Sequence, residues 1–309
     1  MDQFLLESLR VVALPTETNF RGVTVREIAL IQGEYGWGEF SPFLEYDDAE
    51  SAPWLACAIE AATRPKPKLY RTEVAVNGTI PALNDEVELA RIVDSYPGVT
   101  TFKIKVGSNA QEDIARINII RSLRPGAKIR LDANGLLSVD QTVSLLQLAG
   151  EIEYIEQPCA TLEELRELKK RIDVKIVGDE VLRKAKNPFA VELEGAIDYL
   201  MLKVQPLGGI ARAHQLAEHH KLPAVVSSAL ESAIGINYGL ILAASFESMK
   251  FDCGLGTGSL LAKNVADLPI VDGKIQISEV VPHLEGLDVA ADRFEWWKNR
   301  IMRTAELLK

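Results

Sequence analysis

Between residues 99 and 204, five short apolar runs each end in charged residues, and this constrains the fold of the 309-residue chain more than any other feature. They are Thr101-Phe-Lys-Ile-Lys105, Ile129-Arg-Leu-Asp132-Ala-Asn134, Tyr154-Ile-Glu156-Gln-Pro158, Ile176-Val-Gly-Asp179-Glu180 and Tyr199-Leu-Met-Leu-Lys203. Lys105, Asp132, Glu156, Asp179 and Lys203 recur about one βα unit apart. Apolar runs of this length, rich in β-branched residues, suit strands buried on both faces, as in a parallel sheet covered by helices. Charges at the carboxyl ends of such strands are where a (β/α) barrel keeps its chemistry.

Neighbouring strands lie about 4.8 Å apart, so five strand ends in an open sheet would spread over roughly 19 Å. A closed barrel bends that row around one mouth, and all five groups then face one small ligand. Solvated strand ends would explain any one of these charges, but not five in succession. Asp132, Glu156 and Asp179, set between two lysine-bearing strands, make an oxygen-lined pocket for a hard divalent cation and leave room for a substrate carboxylate. Such a site suits removal of a proton from the carbon beside a carboxylate, where the developing negative charge must be offset. Lys103 and Lys105 stand two apart on one strand and share a face. Two adjacent ammonium groups near a divalent cation disfavour each other's charge, which makes one of them a usable base. The other reading leaves both as solvated lysines of an edge strand.

Lys103-x-Lys105, Asp132-x-Asn134, Glu156-Gln-Pro158, Gly178-Asp179-Glu180 and Lys203 resemble the active-site pentad of the enolase superfamily, specifically its muconate-lactonizing subgroup. The resemblance covers the whole chain. It implies an α/β fold with a (β/α)7β TIM-like barrel, a smaller α+β capping domain from both termini, and one Mg2+, with Mn2+ possible. It gives the proton transfer to Lys105, with Lys103 assisting. Lys203 reaches the opposite face of the substrate, as a second base in a racemase or as a cation in a one-face dehydration. Asn134 and Glu180 are read as groups that orient the metal ligands. Arg130, which shares a face with Asp132, receives a substrate-side role, and Ser227 and Gly254 match positions that touch the substrate carboxylate.

Within the subgroup, the short chain and its weaker motifs resemble the o-succinylbenzoate synthase family of menaquinone biosynthesis. These motifs are Arg130-Leu-Asp-Ala-Asn134, Ser227-Ser228 followed by Glu231-Ser, and Gly36-Trp-Gly-Glu-Phe-Ser-Pro42. The resemblance implies a Mg2+-dependent syn dehydration of 2-succinyl-6-hydroxy-2,4-cyclohexadiene-1-carboxylate. Arg21, in the loop with Asn19 and Phe20, is expected over the mouth, where it would meet the succinyl carboxylate. N-acylamino acid racemases, dipeptide epimerases and muconate cycloisomerases share the pentad and are the alternative. A barrel that binds without catalysing is a more distant one, disfavoured because such a protein has no reason to keep both lysines facing a metal pocket.

Residues 1–68 do not follow the βα rhythm. Leu9–Leu14 and Val23–Gln32 read as strands around a polar loop at Thr16–Gly22, and Asp47–Thr63 as a helix with Trp54, Leu55, Ala58, Ile59 and Ala62 on one face. Val74–Gly78 reads as the first barrel strand, Pro223–Ser228 as the seventh and Phe251–Gly256 as the eighth. A helix is expected over Pro188–Leu193. The tail returns to the opening style, with a hairpin around Asp272-Gly273 and an amphipathic helix over Asp288–Leu308. Residues 1–68 and 262–309 are therefore expected to form one cap over a 69–261 barrel, burying Trp37, Trp54, Trp296 and Trp297. A net charge of −10 argues against a nucleic-acid surface. Three widely spaced cysteines suit a reducing compartment, and no signal-like or membrane-length apolar run is present. The expectation is a cytoplasmic enzyme for a small carboxylate, with no protein, nucleic-acid or membrane partner implied.

Overall fold

In the computed structural model, which describes residues 3–20, 22–107 and 109–308, a short helix α1 (Gln3–Glu7) opens the chain. An antiparallel meander follows, built of β1 (Arg10–Phe20), β2 (Val23–Gly33) and β3 (Gly36–Phe40), and then α2 (Asp48–Thr63). The Asp47 side chain caps α2 by accepting from Glu50 N at 2.7 Å. Next come β4 (Glu73–Ala75), β5 (Gly78–Ile80) and α3 (Glu86–Asp94). β1 runs further than its sequence suggests, because Thr16–Phe20 continues the strand beyond a register shift instead of forming a loop. Its polar side chains have partners on α3: Thr18 donates to Glu88 at 2.8 Å, and Arg91 pairs with Glu17 at 2.8 Å.

The parallel sheet continues through β6 (Thr101–Lys105), β7 (Lys128–Asp132), β8 (Tyr154–Glu156), β9 (Ile176–Gly178), β10 (Tyr199–Lys203) and β11 (Ala224–Ser227), each strand beside the next from β5 onward. The intervening helices are α4 (Ala110–Leu123), α5 (Val139–Ala149), α6 (Leu162–Lys169), α7 (Glu180–Arg183), α8 (Val204–Leu207) and α9 (Ile210–His220). After β11 come α10 (Ala233–Ser245), a hairpin of β12 (Ile270–Val271) and β13 (Lys274–Gln276), and α11 (Ala291–Glu306). Pro188–Ala190 makes only a single 3-10 turn where a helix over Pro188–Leu193 was expected. The chain is already extended at Val191.

The eighth strand closes the barrel through two parallel bridges, Ser227 to Gly254 and Val76 to Cys253. Gly254 N donates to Val226 O at 2.8 Å, and Asn77 N to Cys253 O at 2.9 Å. A Cβ on Gly254 would lie 2.3 Å from Ser227 Oγ, so the seam requires glycine there. The first strand divides: β4 pairs with β13, while β5 pairs with β6. The β12–β13 hairpin turns at Asp272 and Gly273, both with positive φ, as a two-residue hairpin loop demands. It packs beside Pro97, whose carbonyl accepts from Gly273 N at 2.9 Å, on the side where the chain enters β6. The tail thus goes two ways, its hairpin to β4 and its helix α11 to the meander and α2.

The second core, between the meander, α2 and α11, is aromatic. Phe40 meets Trp297 edge-on at 5.8 Å, and Trp54 packs with Phe43 and Tyr46. Trp297 Nε1 donates to Glu27 of β2 at 2.6 Å. Trp296, expected inside, is 37% exposed, with the Arg293 guanidinium 4.0 Å from its ring. A helix advances about 100° per residue, so its neighbour Trp297 takes the core position alone.

Two carboxylates from the amino-terminal segment cap barrel helices that flank the site. Gly209 offers α9 no side-chain cap; Glu60 of α2 accepts from Ile210 N at 2.5 Å instead. Glu39 of β3 accepts from Gly235 N in α10 at 2.9 Å, from Ser232 Oγ at 2.5 Å and from Gln205 at 3.2 Å. A negative group at a helix amino terminus stabilises by about 0.3–1 kcal/mol, and by up to ~2 when buried. Beside Glu39, burial and then the Glu39 charge push the Glu231 carboxyl up to about 7, against the pull of Arg26 on β2. The native state therefore holds a proton there that the unfolded chain releases, so stability is lost as pH rises from the ordinary carboxylate range through about 7. Glu231→Gln cannot ionise and should keep its Tm better between pH 5 and 8, by about 3 °C or more relative to the parent. Thermal melts at the two pH values check this, and parallel shifts in both proteins would refute it.

Candidate active site

Strand alternation and register place the site. Lys105 stands opposite Asp132, Asp132 opposite Glu156, and Lys203 opposite Ser227, so successive strands deliver one polar group each to the carboxyl-end layer. Two residues deeper, the same face carries Lys103, Arg130, Tyr154, Val177, Met201 and Val225, several of them packed together as the barrel interior. The cavity at the mouth is lined by Lys103, Lys105, Asp132, Asn134, Arg183 and Lys203. It is also lined by Phe43, Tyr46 and Trp54 from the amino-terminal segment and by the Ser227–Leu230 stretch. The carboxyl ends of the strands and the amino-terminal segment therefore share one wall.

Every carboxylate of the row is paired with a cation. Lys103 Nζ lies 2.6 Å from Glu156 Oε2 and 3.3 Å from Asp132 Oδ2. Lys105 Nζ donates to Asp132 Oδ2 at 2.7 Å and to Asn134 Oδ1 at 2.6 Å. Lys203 Nζ is 2.5 Å from Asp179 Oδ2 and 3.5 Å from Glu156 Oε1. The two strand-β6 lysines respond in opposite directions. Burial lowers the Lys105 ammonium below its ordinary value, the Lys103 charge adding to this and Asp132 opposing it. For Lys103 and Lys203, burial works against the charge but is outweighed by Glu156 and Asp132, and by Asp179 and Glu156, respectively. Burial and the Asp132 charge raise Glu156, whereas the lysines overcome burial to hold Asp132 and Asp179 below the carboxylate range.

As they stand, no three His, Cys, Asp or Glu side chains among the described residues converge closely enough to chelate an ion, because ammonium groups sit between the carboxylates. The donor set nonetheless fits a hard cation. Glu156 Oε1 and Asp179 Oδ1, on neighbouring strands, are buried without a hydrogen-bond partner. Lys203 Nζ, 3.5 Å from Glu156 Oε1, makes no hydrogen bond to it, and a buried carboxylate oxygen left without one is costly and open to a cation. With Asp132, they would offer oxygens of the kind a hard divalent ion takes.

Asn134 and Glu180, expected to orient these ligands, are hydrogen-bonded to each other. Asn134, in the left-handed region at φ 49°, donates Nδ2 to Glu180 Oε1 at 3.0 Å. Asn is among the few non-glycine residues that adopt this conformation readily. Ser227 lines the cavity, while Gly254 stands behind it, its carbonyl accepting from Ser227 Oγ at 3.3 Å. Arg130 does not take the substrate-side role expected of it. Fully buried, it donates to Glu153 at 2.6 Å, Asn77 at 3.0 Å and Asp252 O at 2.6 Å, and lies over the Tyr154 ring. Arg21 lies outside the described residues.

Two residues at the site were given no role of their own from sequence. Gln157 Oε1 accepts from the backbone N of Asp179 at 3.0 Å and of Val181 at 3.2 Å, fixing the turn that presents Asp179. Its place in Glu156-Gln-Pro was the only hint. Arg183, on α7, reaches Asp179 Oδ2 at 3.2 Å, Glu180 Oε1 at 2.7 Å and Tyr46 OH at 3.3 Å.

Barrel, strand-end carboxylates and flanking lysines define a class. Residues 11–62 match the family described as enolase N-terminal domain-like, and residues 85–293 match enolase C-terminal domain-like. The chain belongs to the enolase superfamily, whose enzymes work with a divalent metal ion. A relative named o-succinylbenzoate synthase, from Mycolicibacterium smegmatis, is 45% identical over 307 residues, covering 96% of this chain and 95% of its own. Among solved structures, the L-Ala-D/L-Glu epimerase from Bacillus subtilis superposes with a TM-score of 0.74 at 24% identity, over 91% of this chain and 98% of that one. The muconate lactonizing enzyme from Pseudomonas putida gives 0.71 at 20% identity, over 93% and 97%. These two likenesses establish the fold. No described helix is long and apolar enough to cross a membrane.

Proposed function

We propose that the chain acts as an o-succinylbenzoate synthase, a hydro-lyase of menaquinone biosynthesis. It removes water from 2-succinyl-6-hydroxy-2,4-cyclohexadiene-1-carboxylate to give 2-succinylbenzoate. The carrying observation is the asymmetry of the two lysines that flank the carboxylate row. Lys203 stands between two carboxylates, whereas Lys105 donates to Asp132 and to the neutral amide of Asn134, and burial lowers its ammonium below the ordinary value. Lys105 is the group better able to shed its proton and serve as base; Lys203 stays a cation on the other face.

Lys105 takes the proton from the ring carbon bearing the carboxylate, and Lys103 keeps a second positive charge beside it. Lys105, now an acid, returns a proton to the departing hydroxyl on the same face, so the elimination is syn and the ring becomes aromatic. Mg2+, or Mn2+ in its place, held by Asp132, Glu156 and Asp179, would supply the charge that offsets the carboxylate as the proton leaves. Asn134 and Glu180 orient these groups, and Ser227, with Gly254 behind it, lies on the substrate side. Residues 1–68, together with α11 from the 262–309 tail, act as the cap, and 69–261 as the catalytic barrel. Phe43, Tyr46 and Trp54 on the cavity wall support that division and exclude water from it. The reading places the enzyme in the cytoplasm with a small dianionic substrate and no macromolecular partner.

The test is formation of 2-succinylbenzoate from that substrate with Mg2+ present. Lys203→Arg keeps a cation but cannot serve as a base, so it should retain at least about tenfold more dehydration than Lys203→Ala. Equal loss in both variants would assign a proton transfer to Lys203. Racemisation of N-acylamino acids with no dehydration would replace the proposed function with the alternative one.

A further inference from the structure

The Lys105 ammonium sits at the end of a chain of hydrogen bonds that leads out of the barrel. Its Nζ donates to Asn134 Oδ1 at 2.6 Å; Asn134 Nδ2 donates to Glu180 Oε1 at 3.0 Å. The same Glu180 oxygen accepts from Arg183 Nη2 at 2.7 Å, and Arg183 Nη1 reaches Tyr46 OH at 3.3 Å. Tyr46 belongs to the segment between β3 and α2, and its carbonyl accepts from Arg300 of α11 at 2.6 Å. Amide polarity makes the chain directional. A flipped Asn134 would turn its NH2 toward an ammonium and its oxygen toward a carboxylate. The Arg183 side chain is only 5% exposed, and its planar fork is spent on Asp179, Glu180 and Tyr46.

We propose that Arg183 is a positioning residue for the base: through Glu180 and Asn134 it sets where Lys105 Nζ stands, and through Tyr46 it makes that placement depend on the seated amino-terminal segment. This rests on the reading of Lys105 as the base. Glu180 Oε2 already lacks a hydrogen-bond partner. Without the guanidinium, the buried Glu180 carboxylate must find another cation, and Lys105 lies one amide away. Drawn toward Glu180, Lys105 Nζ leaves its line to the substrate carbon. A displacement of about 1 Å in a reacting group can cost roughly 10²-fold in rate. Arg183 is therefore expected to act on the proton-transfer step more than on substrate binding.

The experiment compares Arg183→Met, Arg183→Lys and Tyr46→Phe with the parent at saturating Mg2+. Each is assayed on the proposed substrate and on the same compound deuterated at the carbon that loses its proton. Arg183→Met should lose about 10- to 100-fold in kcat with KM changed by less than about threefold. Its isotope effect on kcat should rise, because a misplaced base makes proton transfer limiting. Arg183→Lys, which offers one point charge for a fork, should fall between that variant and the parent. Tyr46→Phe should show the same two changes, smaller in size. If Arg183→Met does not fold, the other two decide.

Parent-like kcat and isotope effect in Arg183→Lys and Tyr46→Phe would overturn the proposal. A raised KM with unchanged kcat would do so too, by making Arg183 a substrate contact. Full kcat in Arg183→Met at saturating Mg2+, with a loss only at limiting Mg2+, would assign its effect to Asp179 alone. Loss of turnover in Lys105→Ala alongside unaffected Arg183 variants refutes only this inference. A parent that forms no 2-succinylbenzoate refutes the functional reading, and this inference with it.

Discussion

Lys105→Ala should lower turnover by about 10²–10⁴-fold, the usual scale for loss of a general base, while the protein stays folded. Both halves of that expectation come from the local partners. Removing Lys105 takes away one of the contacts to Asp132 Oδ2, but Lys103 remains 3.3 Å from the same oxygen and Asn134 N donates to the other at 3.2 Å. Asp132 thus keeps a cation and a hydrogen bond, and no buried charge is left bare. No other group takes over the chemistry, since Lys103 is engaged by Glu156 at 2.6 Å and Lys203 stands four strands away on β10. Substrate should still bind, so the loss falls on kcat. A small primary amine added to the Lys105→Ala protein should restore part of the rate. Turnover within tenfold of the parent, in a protein with an unchanged melt, would exclude Lys105 as the base.

Lys105, Asp132, Glu156, Asp179 and Lys203 were legible because barrel geometry writes them into sequence. A strand end at the mouth must be charged to be useful, and the βα repeat makes those charges periodic. Arg130 shows where that logic stops. Alternation predicts the face on which a side chain lies but not what it reaches. From the same layer, roughly 6.6 Å below the mouth, Lys103 reaches the cavity, whereas Arg130 is held by Glu153 and Asn77 and lies over Tyr154. Arg183 was silent for the opposite reason. It sits on a four-residue helix with no period to read, and its importance arises from Tyr46, 137 positions away in the chain. The eighth strand, read over Phe251–Gly256, joins its neighbours through isolated bridges at Cys253 and Gly254. The hairpin's turn could be read from Asp272-Gly273, but its partner β4 could not, since register with a distant strand leaves no local mark.

Removing the divalent ion should abolish turnover while leaving the fold intact, with Tm lowered by only about 3–6 °C. Small metal-nucleated domains behave differently, because their ligands have no other use and chelation unfolds them. Here the acidic groups Asp132, Glu156, Asp179 and Glu180 are matched by Lys103, Lys105, Lys203 and Arg183, with contacts between 2.5 and 3.3 Å. Unpaired, each buried carboxylate would cost several kcal/mol, so this internal matching lets the barrel stand without an ion. A divalent cation adds positive charge to a cluster whose own charges are close to balanced, which suits an anionic substrate. Dialysis against EDTA, followed by circular dichroism, a thermal melt and readdition of Mg2+, tests this expectation. Unfolding on chelation would mean that the lysine–carboxylate pairs do not sustain the mouth of the barrel. Undiminished turnover in the stripped protein would remove Asp132, Glu156 and Asp179 from the role of metal ligands.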